Sequence, residues 1–160
     1  MFSKAKEMID ENLMTMSRIF DLQRIEPKPR TNKQMWVKDV GYDEAPWYLE
    51  RMGLTELEDF LSVAAERIDY VKITTTQVLN HPSNWVNRKI ELYKKHSIQP
   101  YLDHGYFVRA YRNGVVDEAI EVGAELGFSV MEFMNTFGDI PEYQIRAWRQ
   151  RAIDCGMSLI

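Results

Sequence analysis

The sequence predicts an α/β fold built of TIM-barrel-like (β/α) repeats, with about five strands and an N-terminal helix. Three observations carry this prediction. Short runs rich in Val, Ile and aromatic residues alternate with stretches of helical periodicity. The alternation repeats roughly every 30 residues, the length of a βαβ unit. Turn and cap signals such as Asn113-Gly114, Pro141 and Gly156 fall between the runs.

Taken in order, residues 4–24 read as a helix, because Ile9, Leu13, Met16 and Phe20 recur on one stripe. Two prolines in EPKPRTNK stop that helix, and the basic stretch from Lys28 to Lys33 reads as a solvated linker. Residues 1–27 are thus an N-terminal helix and linker, and 28–160 a partial (β/α) barrel domain. QMWVKDV (34–40) is the first strand, followed by an acidic and aromatic segment, GYDEAPWYLERMG (41–53), suited to a lid or a partner contact. A helix over about 54–67 turns Leu57, Phe60, Leu61 and Ala64 to one face. DYVKITT (69–75) is the second strand, and the hydroxyl-rich run after it reads as a polar loop. Asn84 is the expected N-cap of the next helix, with Val86, Ile90 and Tyr93 inward. IQPYLD (98–103) is the third strand, and a helical region over 105–126 breaks near Asn113-Gly114. SVMEFMN (129–135) is the fourth strand. Pro141 starts a helix that buries Ile145, Trp148 and Ala152, Gly156 ends it, and MSLI opens a fifth strand.

This rhythm fits a TIM barrel or a flavodoxin-like sheet. A closed barrel needs eight strands and typically about 250 residues, whereas the chain has 160. The expectation is therefore an open sheet, a piece of a barrel, or a barrel completed by a homo-oligomer or a second chain that covers the parallel edge.

Composition narrows the function. A net charge of −4 with scattered Lys and Arg excludes a basic nucleic-acid footprint. No apolar run approaches the roughly 20 residues of a membrane span, and the N-terminus lacks a signal-peptide pattern, so a cytoplasmic protein without membrane partners is expected. The lone Cys155 has no CxxC partner and reads as a packing residue. The four tryptophans read as packing residues. No P-loop, GxGxxG or GxSxG is present.

In parallel α/β folds the working end is the carboxyl edge of the strands. Strand one delivers Lys38, Asp39 and Gly41, and alternation leaves open that Lys38 lies outside, under a helix. Strand two delivers Lys72, Thr74 and Thr75, strand three Asp103 and His104, and strand four Glu132, Asn135 and then Asp139. Carboxylates and a lysine from different strands can hold Mg²⁺ and a small anionic substrate. Lys72 could equally form an ion pair with Asp39 or Glu132, and His104 could hydrogen-bond a loop.

Several segments resemble one family: KPRTNKQMWVKDVGY, DYVK, NRKIELYKKHSI, FVRAYRNGVVDEAIEVGAELGFSVMEF and GDIPEYQIRAWRQRAIDCGMSL. Over residues 28–160 the chain resembles the phosphosulfolactate synthases. The resemblance implies a TIM barrel, Mg²⁺, and addition of sulfite to phosphoenolpyruvate, as in coenzyme M biosynthesis. It matches Asp39, Gly41, Tyr42, Lys72 and Glu132 to family positions. It implies that Asp39 and Glu132 hold the metal and that Lys72 acts in the chemistry; where the chain departs from the family, Asp103 and His104 are expected as catalytic residues and new substrate or metal contacts, and Thr74, Thr75 and Asn135 as substrate contacts. The glycine-rich loop expected after Lys72 is Thr74-Thr75-Thr76-Gln77-Val78 here, and the glycine-rich turn after strand three is Asp103-His104-Gly105. Glycines let backbone amides approach an anion closely, and an aspartate there repels one. The second reading is therefore a non-catalytic scaffold or regulatory protein that kept the barrel and lost its anion-binding loops.

Overall fold

The computed structural model describes residues 28–30, 34–39, 52–135, 138 and 140–160. The expected N-terminal helix, most of the 41–53 segment, Gly41, Tyr42 and Asp139 lie outside them. Five strands form one parallel sheet: β1 (Trp36–Asp39), β2 (Tyr70–Ile73), β3 (Gln99–Leu102), β4 (Val130–Met131) and β5 (Ser158–Leu159). Between them lie α1 (Leu54–Ala64) with a short 3₁₀ turn (Ala65–Arg67), α2 (Thr75–Asn80), α3 (Ser83–Lys95), α4 (His104–Asn113), α5 (Val116–Glu125) and α6 (Glu142–Asp154).

The strand order β1-β2-β3-β4-β5 decides between the two fold readings. Flavodoxin-like sheets reverse direction at a switch point. Here every strand is added on the same side, which is the winding of a (β/α) barrel. The right-handed crossovers usual for such units would place the described helices on one face.

Register assigns each residue to a face. Lys38, Lys72, Tyr101, Val130 and Ser158 stand side by side across the sheet, as do Asp39, Ile73, Leu102, Met131 and Leu159. The second row faces the helices: Ile73, Leu102 and Met131 are fully buried, with Leu57, Leu61, Ile90, Phe107 and Ile120 packed in the same core. Each such side chain contributes about 1.5–3 kcal/mol through apolar burial. The first row faces the opposite side of the sheet, the inner side in a (β/α) barrel. Lys38 shares this side with Lys72 and is exposed, rather than lying under a helix. On the same side Trp36 stacks on Tyr70 at 3.9 Å between ring centroids and meets Tyr101 edge-on.

Several local expectations are corrected. Residues 75–80 form a helix rather than a loop, with Thr74 at the N-cap position. The next helix starts at Ser83 behind Pro82, so Asn84 is not its cap. Phe60 is exposed, outside the buried stripe of Leu57 and Leu61. Arg30 is not solvated: it is buried, pairs with Asp69 at 2.7 Å and donates to the Glu66 carbonyl, clamping the chain to the amino end of β2. The break at Asn113-Gly114 is present, with Gly114 at φ 70°. Gly156, at φ 75°, closes α6 in the left-handed conformation that favours glycine.

Candidate active site

The carboxyl ends of β2, β3 and β4 bring four ionisable side chains together. Lys72, the third residue of β2, points to the inner side, and its Nζ lies 2.6 Å from Glu132 Oε2. Glu132 directly follows β4, where its own N–H donates to the Leu102 carbonyl and so fixes its height on the sheet. Asp103 directly follows β3 and caps α4, its Oδ1 accepting from the Gly105 N–H at 2.7 Å. A β-carbon on Gly105 would lie 2.8 Å from Thr75 Oγ1 and 3.0 Å from Asp103 Oδ1, so any larger residue here displaces these two side chains. His104 completes the group. Its N–H donates to Glu132 Oε2 at 3.1 Å, and its Nδ1 lies 3.3 Å from that oxygen and 3.7 Å from Asp103 Oδ1.

The group is partly open: side-chain exposure is 17% for Lys72 and 27% for Glu132. Burial alone would push the Glu132 carboxyl up. Hydrogen bonds from Lys72 and the His104 backbone, with the Lys72 charge, outweigh it, and the carboxyl lies below its ordinary value of 4.5. Burial likewise opposes the charged form of Lys72, yet its bond to Glu132 and the surrounding negative charge hold its pKa above 10.5. Tyr101 was not singled out from the sequence. It lies in register with Lys72, whose Nζ sits 5.6 Å from its ring centroid. Burial, helped by Glu132 and Asp103 against Lys72, raises its phenol above 10.0. The signal for it is strand parity, which becomes readable once the β2–β3 register is known.

The other expected residues are placed as follows. Thr75 Oγ1 donates to Asp103 Oδ1 at 3.3 Å, at the edge of the group. Thr74 is fully buried, with its hydroxyl 3.2 Å from Thr76 Oγ1 and 3.5 Å from Gln77 Nε2. Asn135 is exposed, and its side-chain oxygen accepts the Gly138 N–H.

Asp39 is not gathered with Glu132. It lies in the helix-facing row, fully buried, and its Oδ2 accepts from Lys89 Nζ at 2.7 Å and from the Tyr93 hydroxyl at 2.6 Å. Gln77 donates to the Asp39 carbonyl and Lys89 donates to Gln77 Oε1, both at 2.7 Å. The expected metal pair of Asp39 with Glu132 is therefore not formed. Among the described residues, Asp103, His104 and Glu132 are the side chains whose ligand atoms lie within 4.8 Å of one another. Their chemistry fits a divalent cation: two carboxylates face one ammonium, and Asp103 Oδ2 and Glu132 Oε1 accept no hydrogen bond among the described residues. No helix among the described residues is long and apolar enough to cross a membrane.

The geometry can be set beside known proteins. The chain is 24% identical over 133 residues to a phosphosulfolactate synthase of Methanothermobacter thermautotrophicus, covering 83% of this chain and 48% of that protein. It is 31% identical over 106 residues to a phosphosulfolactate synthase of Methanocaldococcus jannaschii, covering 65% and 41%. The chain thus spans about half the length of the curated relatives it matches. Among solved structures, D-psicose 3-epimerase from Clostridium cellulolyticum H10 aligns with a TM-score of 0.46 at 9% identity, covering 78% of this chain and 50% of that one. The family described as (2R)-phospho-3-sulfolactate synthase (ComA) matches residues 23–160. Lys72 and Glu132 therefore stand within a family match that takes in every described strand, and the chain belongs to the (2R)-phospho-3-sulfolactate synthase (ComA) family.

Proposed function

We propose that the chain is a phosphosulfolactate synthase-like lyase that adds sulfite, or a related nucleophile, to phosphoenolpyruvate or a similar small acid with Mg²⁺ assistance. The observation that carries this reading is the Lys72–Glu132–His104–Asp103 group on the working rim of a barrel-type sheet. In such an addition the sulfur lone pair forms a bond to the terminal alkene carbon. The π pair moves to the adjacent carbon and into the carboxylate, and that carbon then takes a proton. The Lys72 ammonium would bind the anionic substrate and stabilise the negative charge that develops. Asp103 and Glu132 would hold the cation, which when bound supplies Lewis-acid polarisation of the substrate carboxylate. Within the group the two carboxylates outnumber the Lys72 ammonium, so a bound cation would favour an anionic substrate.

The second reading, a scaffold without catalysis, is favoured by one specific feature. The first amides of α4, a natural anion site, already serve Glu132 and Asp103 of the same chain. Mg²⁺-dependent consumption of phosphoenolpyruvate with sulfite, in the native chain and in Lys72→Ala, separates the two. Turnover that falls at least a hundredfold in Lys72→Ala supports the enzyme. Absence of both turnover and calorimetric binding of phosphoenolpyruvate overturns it.

A further inference from the structure

We propose that Asp103, His104 and Glu132 form a divalent-metal site whose imidazole nitrogen makes it select first-row transition ions over Mg²⁺. The inference deepens the metal part of the reading above, and its test does not depend on turnover. His104 Nδ1 stands 3.3 Å from Glu132 Oε2 and 3.7 Å from Asp103 Oδ1. Metal bonds of about 2.0–2.2 Å place neighbouring ligand atoms roughly 3–3.5 Å apart, and the ligand atoms of the three side chains lie within 4.8 Å of one another, so turning the two carboxylates brings them round an ion. Each carboxylate is fixed through one oxygen, Glu132 Oε2 and Asp103 Oδ1, which leaves Glu132 Oε1 and Asp103 Oδ2 for a cation. The His104 N–H fixes Glu132, and the Gly105 N–H with Thr75 Oγ1 fixes Asp103. Three protein ligands at a ring that is 38% exposed leave open positions for water or substrate.

The donor set determines the preference. Mg²⁺ takes hard oxygen ligands and keeps several waters. An imidazole nitrogen beside two carboxylates favours ions later in the row, along the order Mn²⁺ < Co²⁺ < Zn²⁺. Lys72 acts in the opposite sense, because its ammonium 2.6 Å from Glu132 Oε2 competes with any cation there. The site therefore gains affinity when that charge is removed.

Co²⁺ titration of the metal-stripped full chain, followed by visible absorption and calorimetry, tests this. The expected result is one Co²⁺ per chain, displaced by Zn²⁺ but not by a hundredfold excess of Mg²⁺. His104→Ala weakens Co²⁺ binding about tenfold or more, and Lys72→Met tightens it. Absence of Co²⁺ binding at millimolar concentration in both the native chain and Lys72→Met overturns the site. Native affinity in His104→Ala overturns the role of the imidazole. A chain that binds Co²⁺ as described yet leaves phosphoenolpyruvate untouched refutes the proposed reaction and leaves the metal site standing.

Discussion

Two lysine–carboxylate pairs with nearly equal separations stand at opposite faces of one sheet. Lys89 and Asp39 lie 2.7 Å apart at 1% and 0% side-chain exposure. Lys72 and Glu132 lie 2.6 Å apart at 17% and 27%. In the sealed pair every polar atom serves the fold. Lys89 also donates to Gln77 Oε1 and to the Met52 carbonyl, and Tyr93 and Gln77 complete the shell of Asp39. In the open pair Glu132 keeps an oxygen uncommitted among the described residues, with His104 and Asp103 alongside. Burial even reverses the titration of the two lysines. Desolvation outweighs Asp39 and lowers the pKa of Lys89, whereas at Lys72 desolvation is outweighed by Glu132 together with Tyr101 and Asp103, and the pKa rises. Equal distance thus marks a sealed clasp on one face and a half-open group on the other.

The largest expected effect comes from breaking the clasp. Asp39→Ala leaves the Lys89 ammonium buried without its counter-charge and costs about 3–5 kcal/mol. Thermal unfolding by circular dichroism should show a melting temperature lower by roughly 10 °C or more. The double change Asp39→Leu with Lys89→Met recovers much of that loss, because no charge is then buried. A melt unchanged in Asp39→Ala would contradict the assignment.

Gly105→Ala is next. Its methyl would press on Thr75 Oγ1 and Asp103 Oδ1, and overpacking of this kind costs about 1–3 kcal/mol. Urea denaturation measures it, and the shifted Asp103 should also weaken metal binding.

A smaller effect is pH-dependent. The folded-state pKa of Glu132 is below 4.5, so its pairing stabilises the fold above that value and the contribution is lost as pH falls below it. The pKa of Lys72 is above 10.5, so its contribution is complete below 10.5 and lost as pH rises past its folded value. Glu132→Gln should flatten the acid limb of the melting-temperature profile by less than about 1 kcal/mol, the scale of a half-open pair. Parallel acid limbs would contradict this pairing. The smallest effect belongs to the exposed Asn135→Ala, which should shift stability by about 0.5 kcal/mol or less, as read from the urea midpoint.

The contrast also shows what the sequence carries and what it leaves unsaid. Helical spacing placed Val86, Ile90 and Tyr93 inward, and the structure buries all three. It could not set Lys72 and Asp39 on opposite faces, because strand parity acquires meaning only through the Lys38–Lys72 register. The clasp was hidden for a related reason. Lys89 shares its helix face with Val86, Ile90 and Tyr93, where a lysine ordinarily signals solvent. Thr75 to Asn80 form less than two helical turns, too short for a period to declare itself. The contact of His104 with Glu132 spans 28 positions and depends on β3 and β4 being neighbours. Residue types at strand ends were legible, but their grouping was a property of the sheet.

The most direct test of this division is calorimetric titration of phosphoenolpyruvate with Mg²⁺ into Lys72→Met, with the melting temperature recorded on the same sample. The account predicts a melt within about 3 °C of the native chain and loss of phosphoenolpyruvate binding. Native-strength binding in Lys72→Met would contradict it.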